Sequence, residues 1–156
     1  MEKQELVAML RTDKAAFQRL REKDPRAELD LSGADLSGCD LRNAALAGVT
    51  LRNACLRGSD CTNANLRFAD LSGADLRDTD MVGANLHQAM LEGADMEGAT
   101  LGPGVGRRTR LCLHVETFRR VRWSREELET MLRILNENAN WEIRYQIVPR
   151  EASQNP

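Results

Sequence analysis

From Leu29 to Leu101 one pattern returns every five residues, and a strict five leaves few folds open. Read from Leu31, the successive fives are LSGAD, LSGCD, LRNAA, LAGVT, LRNAC, LRGSD, CTNAN, LRFAD, LSGAD, LRDTD, MVGAN, LHQAM, LEGAD and MEGAT. Of the fifteen positions from 31 to 101 in steps of five, twelve are Leu, two are Met (Met81, Met96) and one is Cys61. Two residues before each of these, ten of fifteen are Ala; the residue between is usually Asp or Asn, and the residue two after is Gly in eight cases. A helix repeats its apolar face at 3.6 residues and a strand at 2, so neither fits. Short-period self-similarity marks a solenoid, whose unit is too small to bury its own apolar face. A wide Leu and a narrow Ala two apart both point inward along one short extended segment, and the residues around them turn the corner. Four such sides close a square coil of about twenty residues, and coils stack at roughly 4.8 Å. Gly and Asn after the inward pair suit the turn, since both tolerate unusual φ.

These fives resemble the pentapeptide-repeat family, whose loose motif is A(D/N)LXX, over about half of the chain. The resemblance implies a mainly β solenoid, a right-handed quadrilateral β-helix; the handedness comes from the resemblance alone. Fifteen units give just under four coils, a barrel about 18 Å long at the β spacing.

The expected organisation has four parts. Residues 1–28 read as an N-terminal helical cap: Leu6, Met9, Leu10, Ala16, Phe17 and Leu20 share a face, Thr12-Asp13 allows a break with a new cap, and Pro25 closes the segment. Residues 29–103 are the repeats. Residues 104–149 read as a small strand–helix–strand cap or interaction module. There Leu111, Leu113 and Val115 alternate, Ser124 and Glu127 form a capping box before Leu128, Met131, Leu132 and Leu135, and Trp141, Ile143, Tyr145 and Ile147 alternate again. Residues 150–156 are a polar tail. No stretch approaches eighteen apolar residues and Glu2 and Lys3 precede no apolar leader core, so a cytoplasmic protein with no membrane association is expected. The four cysteines show no CxxC spacing and are expected to be free thiols.

No residues can be nominated for catalysis, a cofactor or a metal. Cys39 and Cys61 take inward positions as small hydrophobes; Cys55 is outward, and His87 and His114 share no ligand spacing with them. Ser59 and Thr79 fall in the inward column with aliphatic neighbours and are expected to bond to backbone. A non-catalytic protein follows, a rigid scaffold for protein–protein interaction.

Charge is uneven. Residues 1–28 carry six acids and seven bases, 29–103 eleven and five, the rest seven and ten: +1, −6 and +3, which sum to −2. On a four-sided coil, the two sides centred on Leu36 and Leu41 collect a net of −5, with Asp40, Asp60 and Asp80 stacked as a ladder. Such Asp residues either hold the turn through their own side chains or form a binding face. The candidate interaction surface is therefore Asp35, Asp40, Asp60, Asp75, Asp80 and Asp95 on the barrel, with Arg119, Arg122, Trp123, Trp141 and Tyr145 from the C-terminal module. The partner is a protein, without direct nucleic-acid contact. The resemblance also implies an alternative, because the family's quinolone-resistance members mimic B-form DNA and bind DNA gyrase. That reading asks for about ten charges on an 18 Å barrel. A strand at Trp141 to Val148 would either pair with a second copy, making a homodimer, or seal the last coil of a monomer.

Overall fold

The structure, a computed structural model, describes residues 2–101 together with Glu126 and Glu129, both helical and exposed. The two strands and the remainder of the helix expected in 104–149, and the tail 150–156, lie outside the described residues.

Each five-residue unit makes one side of a coil and one corner. Residues twenty apart pair in parallel, from Asp30 with Thr50 through Asp40 with Asp60 to Asp80 with Thr100. The pairing is a single residue per side because the turn consumes the rest of each unit. In every turn the amide of the fourth residue donates to the carbonyl of the first, as Ala34 does to Leu31 at 3.0 Å. The third residue has positive φ in all fourteen turns from 33 to 98, between 54° and 77°. That is the requirement of a type II turn, and it explains why Gly and Asn recur there. Between coils, Leu31 N–H reaches Thr50 O at 2.7 Å and Thr50 N–H reaches Leu29 O at 2.9 Å, a register that repeats up the barrel.

All fourteen centres from Leu31 to Met96 are completely buried, and the Ala column beside them is nearly so. Leu over Leu and Ala over Ala fill most of the narrow interior, with Met, Cys, Val, Ser and Thr of similar size at the exceptions. The first side is centred on Leu31, Leu51, Leu71 and Leu91, the second on Leu36, Leu56, Leu76 and Met96. The third is centred on Leu41, Cys61, Met81 and Leu101, the fourth on Leu46, Leu66 and Leu86.

Helices α1 (Lys3–Thr12) and α2 (Lys14–Lys23) precede the barrel. Glu2 and Glu5 form a capping box at the start of α1, and the Asp13 carboxylate accepts from Ala16 N at 3.0 Å to start α2. Leu6, Leu10 and Phe17 join the buried core that begins with Leu29 and Leu31. The first coil has no coil beneath it, so carbonyls that accept amides higher up the barrel are orphaned there. Basic side chains of the helices take them in order around the square. Lys3 Nζ donates to Ser32 O (2.8 Å), Arg11 to Asp35 O (2.9 Å) and Arg21 Nη2 to Ala47 O (2.6 Å). Lys14 Nζ meets the Asp40 carboxylate at 2.9 Å on the third side.

Candidate interaction surface

Asp35, Asp40, Asp60, Asp75, Asp80 and Asp95 all sit one residue before a centre, on the second and third sides. In each, Oδ1 accepts from the backbone N–H two residues on: Ser37, Arg42, Thr62, Arg77, Val82 and Glu97, at 3.0 to 3.2 Å. Asp30, Asn65, Asp70 and Asn85 make the same bond. One oxygen therefore stiffens the turn, and the other faces outward. Much of that outward charge is answered locally. Arg42 meets Asp40 at 2.8 Å and Asp60 at 3.6 Å, Arg52 meets Asp70 at 2.9 Å, Arg57 meets Asp78 at 3.5 Å, and Arg77 Nε donates to Asp75 at 2.8 Å.

These contacts hold several carboxyls below the usual carboxylate range. For Asp40 the main cause is the Arg42 guanidinium, then Lys14; for Asp75 it is Arg77; for Asp35 it is the Ser37 hydroxyl. The sites are exposed or partly so, and the bonds orient loops more than they hold the domain together.

The interior offers no reactive group in a usable state. Burial pushes the Cys61 thiol up to about 12 and raises that of Cys39, so neither is a thiolate at neutral pH. Thr79 Oγ1 donates to Leu56 O at 2.9 Å, as expected of a buried hydroxyl. Ser59 differs from expectation: its Oγ lies 3.5 Å from Cys61 Sγ, the two being neighbouring inward positions on the third side. Among the described residues no group of three or more His, Cys, Asp or Glu side chains could hold a metal ion. The other expected surface residues, Arg119, Arg122, Trp123, Trp141 and Tyr145, lie outside the described residues.

A different corner is absent from the sequence reading. Phe68 occupies the third position of its turn with φ 59°, a conformation that costs an ordinary L-residue about 1–2 kcal/mol. It is 51 % exposed, and Met90, the residue before the first-side centre Leu91 and paired above Asp70, is also 51 % exposed; these are the two large apolar side chains exposed among the described residues. The Arg67 guanidinium lies 5.2 Å from the Phe68 ring centroid, and the His87 ring stands nearly perpendicular to it with the two centroids 5.9 Å apart. The signal in the sequence was slight: one aromatic in a column of Gly, Asn, Asp and Gln.

The pentapeptide-repeat family model, in eight copies, matches residues 27–60 and 59–98, the segment whose geometry has just been described. A pentapeptide-repeat protein from Nostoc Pcc 7120 is 34 % identical, covering 70 % of this chain and 94 % of its own, with a TM-score of 0.28. The chain belongs to the pentapeptide-repeat family. The family fold is the right-handed quadrilateral β-helix. Two further pentapeptide-repeat structures are similar. Rfr23 of the cyanobacterium Cyanothece 51142 is 27 % identical over 61 % of this chain and 54 % of its own, with a TM-score of 0.46. A protein of the Arabidopsis thaliana thylakoid lumen is 33 % identical over 60 % of each chain, with a TM-score of 0.37. The match thus spans somewhat over half the length of those two relatives. No curated protein matches the chain.

Proposed function

We propose that this pentapeptide-repeat protein is a non-catalytic scaffold that presents the outer sides of a rigid coil to a protein partner. One observation carries the reading. The interior is the same dry column on every side, whereas the outward positions, apart from the turn-holding Asp or Asn before many centres, differ sharply between sides. Rigid backbone with freely varied outward residues is how repeat solenoids build recognition surfaces. Among the described residues, the buried Cys39 and Cys61 thiols are held protonated and the ladder carboxylates are bonded locally, which suits a structural more than a catalytic role. The helices over the first coil act in this reading as a cap that keeps the open edge from pairing with other chains, and residues 104–149 form a second interaction or capping module. The test is capture of a partner by the intact chain from source lysate, followed by mapping of the protected barrel amides by hydrogen exchange. Saturable capture with protection on a barrel side supports the scaffold; no protected side in any captured complex overturns it.

The acidic second and third sides favour one alternative, a DNA mimic that binds gyrase. Asp40, Asp60 and Asp80 do form a pairing ladder. Yet the repeats carry a net of only −6 where about ten charges are needed, and Arg42, Arg57 and Arg77 interrupt the acidic sides. Inhibition or protection of gyrase in a supercoiling assay would promote this alternative; inactivity at micromolar protein would retire it.

A further inference from the structure

The corner at Phe68 borders a groove with an unusual charge balance. Arg21 is 7 % exposed, and the partners of its guanidinium are two neutral carbonyls, Ala27 O at 3.0 Å and Ala47 O at 2.6 Å. Its Nε is buried with no acceptor, and among the described residues Arg21 has no carboxylate partner. A buried cation balanced only by carbonyl dipoles is costly, and a nearby anion relieves it. Beside it lies an open groove of about 320 Å³ between the end of α2 and the fourth side, walled by Pro25, Ala27, Ala47 and Phe68 with Arg26 at its rim. Gly48 forms part of the wall, and a Cβ there would meet nothing within 4 Å. The floor is therefore left free under the Phe68 ring. Of the five repeat arginines, four sit in ion pairs; the fifth, Arg67, lies over Phe68 and makes none among the described residues.

We propose that this groove docks an acidic, extended protein segment, with one apolar or aromatic side chain against Phe68 and a carboxylate beside Arg21, Arg26 and Arg67. Glu28 is the one acid in the lining, so the cations predominate. Three features select this occupant. The exposed phenyl ring and alanine walls offer an apolar anchor, the kind of contact that dominates interface energy. The unmatched guanidiniums supply the complementary charge. The net −6 on the repeats repels an extended polyanion, which disfavours nucleic acid and anionic membrane while still admitting a short acidic segment. The proposal rests on the scaffold reading and names the side, the corner and the partner's chemistry.

The test is a ¹⁵N amide titration of the intact chain with a capped peptide of four glutamates around one central phenylalanine, raised to about 1 mM, where short peptides with a single anchor bind. A matched peptide with lysines replacing the glutamates is the control. Saturable shifts at Gly48, Phe68 and His87 are expected for the acidic peptide only. Phe68→Asn, which places there the residue already present at corners 43, 53 and 63, should weaken binding about tenfold. Arg67→Ala should weaken it about threefold and reduce its salt dependence. Equal shifts from the lysine peptide, absence of shifts at the corner, or full binding by Phe68→Asn would overturn the proposal. Shifts confined to the second and third sides would also overturn it while leaving the scaffold reading intact. That reading fails separately, when the intact chain captures no partner on any barrel side.

Discussion

The second and third sides of the barrel and the fourth side share one interior and differ almost completely outside. Leu36, Leu56 and Leu76, Leu41 and Met81, and Leu46, Leu66 and Leu86 are all completely buried. Outward, the second and third sides carry eight acids and three arginines, whereas the fourth carries Arg67 as its single charge, with Phe68 and His87 beside it. The comparison separates two kinds of constraint. The inward column and the turn are dictated by the coil; the residue before the centre favours a side-chain oxygen that can hold the turn; the remaining outward positions are open to selection for binding.

If the interior is common to all sides, a charge placed in it should be equally damaging on each. Leu76→Asp on the second side and Leu66→Asp on the fourth should both abolish cooperative unfolding, because an isolated carboxylate in a dry column has no partner. Circular dichroism with urea titration reads this; a cooperatively folded Leu66→Asp protein would show that the fourth side is built differently. Truncation to Ala at either position should cost about 2–5 kcal/mol.

Corners should separate the sides further. Gly83, on the third side, has φ 71° and a Cβ there would press on the Asn63 side chain below, whereas Gly48, on the fourth, has φ 68° and open space. Both variants should carry the φ cost of about 1–2 kcal/mol, and Gly83→Ala somewhat more than Gly48→Ala, because the exposed Asn63 side chain must move aside. Equal urea midpoints for the two variants would refute the difference in corner packing.

Acid should act mainly through the second and third sides, with Asp30 of the first side, lowered by the Ser32 hydroxyl, adding to it. The carboxyls of Asp35, Asp40 and Asp75 are lowered in the folded protein by Ser37, Arg42 and Arg77 respectively. A depressed folded value means that their contribution is complete above the unfolded value near 3.9 and is lost as pH falls through the folded one. The melting temperature should drop below about pH 4. Asp75→Asn keeps the turn acceptor but not the titration, and should flatten that drop; an unchanged acid limb would remove the carboxylate from the account. Arg57→Ala, losing an exposed pair with Asp78 at 3.5 Å, should cost about 1 kcal/mol or less.

Much of this was legible in the fives themselves. The inward Leu and Ala columns, the four-sided coil, the break at Asp13 and the turn role of Asp before each centre follow from spacing and from known side-chain chemistry. Arg21 was not legible, because its burial depends on how α2 crosses the first coil, where the orphaned Ala47 carbonyl draws the guanidinium down. Phe68 was visible only as an isolated aromatic; that it would adopt the left-handed turn conformation and stand half-exposed depends on the lattice overriding its preference. The paired arginines were visible, but for Arg42, Arg52 and Arg57 a partner comes from the neighbouring coil, as in Arg42 with Asp60.

The central claim is that the corner at Phe68 is a binding feature tolerated by the lattice and not required by it. The thermal melt of Phe68→Asn tests this most directly, read beside Leu66→Ala two residues earlier. Asn adopts the left-handed conformation readily, so the account predicts a melting temperature equal to or above that of the parent protein. A loss as large as that of Leu66→Ala would make Phe68 part of the core and contradict the account.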